Sequence, residues 1–220
     1  MAKRLKVLDL THVLAGPFAT YLLTLAGVDV LKVERPEMGD PLRHGEPVQF
    51  ARLNGGKRRL TLNLPSGSAL LRQLAQRADL VVHNLSGERF QELSAPVLSM
   101  PSLAATGSYA GYRGYADTVH AMLGFSYLAG PAPLPWADYV AGAWAANRAL
   151  DLLSSNSPLS QALPQAACMP RAVEKAWPRL ATREPLPAAE PALGEHNDPV
   201  YTELGLDEAD INRLYIEGVI

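Results

Sequence analysis

Cysteine is almost absent: Cys168 is the single one among 220 residues, which excludes a disulfide framework and a cysteine-based metal site and fits a reducing compartment. An excess of one charge is also missing. With 20 Lys and Arg against 22 Asp and Glu, no basic field argues for a nucleic-acid partner. No uninterrupted apolar run reaches the roughly 20 residues that a membrane span needs. Met1-Ala2-Lys3-Arg4 and the apolar residues after it imitate a secretion signal, but Lys6, Asp9 and His12 break the apolar part and Pro17 sits in its continuation. These absences lead us to expect a cytoplasmic protein that binds neither nucleic acid nor membrane. No internal repeat is present.

What is present suffices for a core, since 48% of the residues are apolar. Leu5 to Leu10 reads as a strand, residues 11–16 as a turn, and Pro17 to Ala26 as a helix that ends at Gly27. Val28 to Glu34 returns as a second strand, closed by Arg35-Pro36 and Gly39-Asp40-Pro41. The unit is βαβ. Its turn has a single glycine where a dinucleotide fingerprint needs three, which argues against a nicotinamide site.

Lys57-Arg58-Arg59 follows Asn54-Gly55-Gly56 and precedes an alternating strand, Leu60 to Leu64. Consecutive cations there suit either a phosphate site or a solvated loop edge. An amphipathic helix, Ser66 to Ala78, leads to a buried strand, Asp79 to Asn84. A helix over 87–93 and a further strand over 102–107 continue the alternation. Such order predicts an open, mostly parallel α/β sheet with ligands at the strands' carboxyl ends, where His12, Arg35, Asn84 and Gly107 fall.

A Tyr- and Gly-rich loop, residues 108–115, precedes a helix containing Asp117, Val119, Met122 and Leu123. A second helix starts near Asp138 and runs to Leu153, with Ala141, Ala145, Ala146 and Leu150 at helical spacing. Asp138 stands in its first turn. Four unpaired N–H groups and the positive end of the helix dipole favour the anion there by roughly 0.3–1 kcal/mol, so the carboxylate is expected to stay ionised. An ordinary N-cap is the competing explanation. Residues 154–193 are rich in Pro, Ala and Ser and read as a connector, with a short helix over 171–180. Order returns from Glu195 to Ile220 through the acidic helix start at Asp207.

Together, Val7-Leu8-Asp9-Leu10-Thr11-His12-Val13-Leu14-Ala15-Gly16-Pro17, Val30-Leu31-Lys32-Val33-Glu34-Arg35-Pro36 and Gly39-Asp40-Pro41 resemble the opening motifs of the class III CoA-transferase family. Asn54 with Lys57-Arg58, Asp79 to Asn84, Ala137-Asp138 and the tail from Ala192 to Ile220 extend the series in order. The resemblance spans Leu5 to about Leu153 and resumes at about Ala192. It implies a Rossmann-like large domain over 1–153 with helices on both faces of the sheet. The connector, 154–193, stands where the family has a small domain, and 194–220 is a C-terminal return.

The resemblance also implies an enzyme, in which Asp138 attacks an acyl-CoA thioester to give an aspartyl acyl anhydride before an acceptor carboxylic acid takes over. A carboxylate suits that step because the anhydride is comparable in energy to the thioester. Asp117 matches a second active-site carboxylate. His12, Val13, Arg35, Leu62 and Asn84 match positions that contact coenzyme A, and Lys57 and Arg58 would join them at the phosphates. The implied partners are acyl-CoA, the acceptor acid and a second copy of the chain in a homodimer, with no metal. Ala116 stands where the related racemases keep a histidine base, which favours transfer over racemisation; His120, one turn on, is expected on a partly exposed helix face. Leu14 replaces a glutamine of several transferases, and Pro65 replaces a lysine common after the third strand. A catalytically silent CoA-binding or assembly module is the alternative to an enzyme.

Overall fold

The computed structural model describes residues 4–86, 90, 92–132, 134–155, 158, 160–168 and 192–220. Its centre is a six-stranded sheet in the order β3-β2-β1-β4-β5-β6. The strands are β1 (Lys6–Leu10), β2 (Asp29–Glu34), β3 (Arg58–Thr61), β4 (Leu80–His83), β5 (Val97–Ser99) and β6 (Gln161–Ala162). Every pairing is parallel, as expected. Parallel strands buried on both faces call for near-continuous apolar runs, and β4, Leu-Val-Val-His, is buried throughout.

α1 (Ala15–Leu25) crosses from β1 to β2 and shares one face of the sheet with α5 (Ala116–Met122) and α7 (Trp136–Ser154). α2 (Leu42–Gly45) and α3 (Pro47–Asn54) lie between β2 and β3, and α6 (Phe125–Ala129) between α5 and α7. The opposite face carries α4 (Ser68–Gln76), α8 (Asn197–Leu204) and α9 (Glu208–Ile216). Because β1 lies between β2 and β4, the crossovers on its two sides diverge. That divergence opens a crevice above the carboxyl ends of β1 and β4, the standard ligand position in such sheets.

α8 seals the far edge of the sheet. Asn197 Oδ1 accepts the Thr61 N–H at 2.6 Å, and the Arg59 N–H donates to His196 Nδ1 at 3.2 Å, so β3 presents little open ladder. Tyr201 Oη donates to the Thr61 carbonyl at 2.7 Å from within the core.

Two expectations change. The strand placed at 102–107 lies earlier, at Val97–Ser99, because Val97 and Leu98 bury where Pro101 to Gly107 supply only turns and one isolated bridge. A sixth strand, β6, pairs with β5 inside the stretch read as a connector, and a helical turn follows it at 165–168. The helix expected over 171–180 lies outside the described residues, as does most of the one over 87–93. No helix of the described residues is long and apolar enough to cross a membrane.

Candidate active site

The mouth of α7 is fixed by its contact with α1. Ala137, Val140, Ala141, Ala145 and Ala149 form its buried stripe, small enough for close approach. At the crossing stands Gly142, where a Cβ would lie 2.6 Å from the Ala15 carbonyl oxygen and 2.8 Å from Phe18 Cδ1. Tyr139 meets Phe18 edge to face at 5.1 Å, and Gln49 Nε2 donates to its hydroxyl at 2.6 Å. Asp138, in the first turn of α7, therefore reaches the same end of the sheet as the β1–α1 turn.

Asp138 is only 6% exposed. Burial first, and the negative charge of Asp117 second, raise its carboxyl from 3.8 to about 6. That change disfavours the anion by roughly 3 kcal/mol, more than a helix terminus returns. Burial thus outweighs the helix end, yet the group remains mainly ionised at neutral pH. A carboxylate so raised is more basic than a solvated one while still anionic, a useful state for a nucleophile.

The β1–α1 turn is clamped from four segments. Asp9 Oδ1 accepts the Thr11 N–H at 2.9 Å, and Lys32 Nζ donates to the Thr11 carbonyl at 2.8 Å. Asn84 grips His12 at both backbone atoms. Asp40 accepts the Val13 N–H at 3.1 Å and pairs with Lys32 at 3.0 Å, both side chains fully buried. Val13 is held at φ 71°, a left-handed conformation costly for a β-branched residue and sustained by these bonds. Gly16 closes the turn because a Cβ would lie 2.2 Å from Thr11 Cβ.

A cleft of about 730 Å³ joins these pieces, with His12, Val13, His83, Arg113, Asp138 and Gln165 among its walls. Burial first, then the Lys32 cation, lower the His12 imidazole from its usual range against the pull of Asp40, Asp9 and Glu34. Asn84 also lines the cleft, but its amide is occupied with the turn. Asp117 is exposed on α5, outside the cleft lining, and acts on Asp138 through its charge. Arg35 is exposed just beyond β2 and does not line the cleft either.

The cation cluster is a correction. Lys57 is buried, bonding Asp9 at 3.1 Å, Thr20 Oγ1 at 2.7 Å and Asn54 Oδ1 at 2.8 Å. Arg58 pairs with Asp29 at 3.2 Å and Glu203 at 3.4 Å, and Arg59 stacks its guanidinium 4.9 Å from the Phe50 ring centre. None of the three lines the cleft, so a phosphate seat on Lys57 and Arg58 is withdrawn. Leu62 is likewise core, 1% exposed against α4, and does not face a ligand. His120, expected on a partly exposed face, is buried in α5 with its Nδ1 unpartnered, and it too is absent from the cleft.

Three wall residues went unassigned from sequence. His83 ends β4, stacks on Phe90 at 4.1 Å and makes a 3.0 Å bond from Nδ1 to the Leu85 carbonyl. A carbonyl only accepts, so Nδ1 carries the proton and Nε2 is left as an acceptor. Burial lowers this imidazole to about 4, keeping it neutral. The only signal was a histidine closing an apolar strand. Arg113 gave a weak signal as the sole cation of the Tyr- and Gly-rich loop. Gln165, in a Pro- and Ala-rich stretch, gave none.

A clamped left-handed turn after β1 and a buried carboxylate at α7 share one cleft. The model of CoA-transferase family III matches residues 3–157. The chain belongs to that family. It is 33% identical over 153 residues to the succinate–glutarate CoA-transferase of Agrobacterium fabrum, covering 57% of this chain and 38% of the relative. Over 127 residues it is 38% identical to the succinyl-CoA:mesaconate CoA-transferase of Haloarcula marismortui, covering 51% and 32%. Among solved structures, a CAIB/BAIF family protein from Brucella suis superposes with TM-score 0.67 at 27% identity, over 83% of this chain and 58% of that one. The chain thus spans about two fifths or less of the length of these curated CoA-transferases.

Proposed function

We propose that the protein transfers coenzyme A from an acyl-CoA thioester to a carboxylic acid through covalent catalysis on Asp138. The observation that carries this reading is the buried carboxylate, raised to about 6, opening into the same cleft as the clamped His12–Val13 turn. An Asp138 oxygen bonds to the acyl carbon while the carbon–sulfur bond breaks, giving the aspartyl acyl anhydride and the CoA thiolate. The acceptor carboxylate then attacks the Asp138 carbonyl carbon and displaces the donor acid, and the thiolate attacks the acceptor's acyl carbon, giving the new thioester and free Asp138. No proton needs to be removed from carbon, consistent with Ala116 at the place of a racemase base. Burial, and after it the charge of Asp117, keeps the Asp138 carboxyl basic. Family membership, with relatives named for succinyl, glutarate and mesaconate transfer, favours a dicarboxylic acyl group.

In this reading the phosphates of coenzyme A face Arg113 and Arg35, the exposed cations near the crevice. Calorimetric CoA affinity is expected to fall as salt rises, and the dependence to flatten in Arg113→Ala. The decisive test incubates the protein with succinyl-CoA, traps with hydroxylamine or borohydride, and maps the adduct by mass spectrometry. Modification at Asp138, absent in Asp138→Asn, is expected. An unmodified protein that still binds CoA would replace transfer by a silent binding module.

A further inference from the structure

Polar side chains around the cleft are mostly engaged by the fold. Asn84 holds His12, Asp40 holds Val13 and Lys32, and His83 Nδ1 holds the Leu85 carbonyl. Gln165 differs. It lines the cleft at 4% exposure, and its Oε1 is closed off from solvent with no hydrogen-bond partner. Buried polar atoms nearly always have a partner, so an unengaged amide oxygen in a cleft wall calls for one from outside the chain.

The backbone around this amide is firmly placed. Leu163, Gln165 and Ala166 donate their N–H groups to the carbonyls of Ser99, Pro101 and Ser102 at 2.8, 2.9 and 3.1 Å. The side chain is therefore delivered by an anchored segment and does not wander with a loop. Half a turn about the last side-chain bond exchanges Oε1 and Nε2, so the seat can offer a donor without moving the backbone.

Position in the chain indicates what the amide meets. The family match ends at residue 157, and within it lie the His12–Val13 turn and Asp138. Coenzyme A is common to the reactions of such enzymes, whereas the acyl group varies. A wall built by residues 160–165, beyond the matched stretch, suits the variable part.

We propose that Gln165 determines specificity, its side-chain amide donating a hydrogen bond to an oxygen of the acyl group presented to Asp138. This rests on the CoA-transferase reading of the cleft. The oxygen is either the thioester carbonyl or a carboxylate at the far end of a dicarboxylic acyl group.

The test is calorimetry with CoA and with carba analogues of butyryl-CoA and succinyl-CoA, in which a methylene replaces the thioester sulfur and blocks transfer. Wild type, Gln165→Leu and Gln165→Met are compared, with thermal unfolding to verify that each variant folds; the flexible methionine is the fallback if leucine does not fit. Both variants are expected to bind CoA as wild type does and at least one acyl analogue about 5- to 10-fold more weakly. Weakening of both analogues assigns the carbonyl, and weakening of the succinyl analogue alone assigns the distal carboxylate. Equal affinities throughout, or an equal loss for CoA itself, overturn the assignment while leaving the cleft as a CoA site. A wild type that binds none of the three overturns both.

Discussion

Asn84 holds His12 at both ends of its backbone: Oδ1 accepts the His12 N–H at 2.9 Å and Nδ2 donates to the His12 carbonyl at 2.8 Å, joining residues 72 apart in sequence. The asparagine thus acts on any ligand through the turn it splints. Asn84→Ala should weaken CoA binding about 5- to 30-fold, in line with the loss of two partly buried hydrogen bonds. Asn84→Asp should weaken it further, since a carboxylate cannot donate to the His12 carbonyl and adds a negative charge beside a phosphate ligand. Calorimetry with CoA reads both. Unchanged affinity in Asn84→Ala would remove the turn from the binding site.

Ionised Asp138 costs the fold stability at neutral pH. Its folded carboxyl, at about 6, lies above the unfolded value of 3.8, so its proton is held more tightly in the native state. The associated stability is complete below the unfolded value and is lost as pH rises through about 6. Asp138→Asn should therefore raise the melting temperature at pH 7.5, by the equivalent of roughly 1–3 kcal/mol. Melting scans should show the gain shrinking toward pH 4. A destabilised asparagine variant at neutral pH would contradict a buried, charged carboxylate at 138.

Asp9 has the opposite sign. Burial alone would raise its carboxyl, but Lys57, then Lys32, and the hydroxyls of Thr11 and Thr20 bring it down to about 2. Its contribution is present above about 4 and disappears as pH falls toward about 2. Lys57→Met leaves that carboxylate buried with Lys32 as its remaining cation, and a loss of about 3–5 kcal/mol is expected. In a domain of this size that lowers the melting temperature by about 6–20 °C. A shift under 2 °C would show the pair to be dispensable.

The sheet was legible because short stretches rich in Val and Leu alternate with helices, most plainly at β4, although Asp9 interrupts β1 and Lys32 interrupts β2. β5 and β6 were misplaced or missed because Val97–Ser99 and Gln161–Ala162 are too short to show a period, and pairing alone makes them strands. Asp138 could be named from its place at a helix start in a recognisable motif. Its pKa could not, since burial by other segments decides it. Lys57 and Arg58 misled because a run of cations looks the same whether it meets phosphate or the buried Asp9 and half-buried Asp29. Gln165 escaped because an unpartnered buried amide is a property of the fold alone.

At Gly142 the two halves of the site lack even a methyl group between them. Asp138 and the His12–Val13 turn must consequently travel as one body, for any sliding of α7 along α1 would drive helix backbone into helix backbone. Whatever opening the cleft undergoes falls to residues 108–115 of the opposite wall, since residues 163–166 are bonded to 99–102. That loop, carrying Arg113, would adapt to ligands of different length while the Asp138 carboxylate keeps its aim.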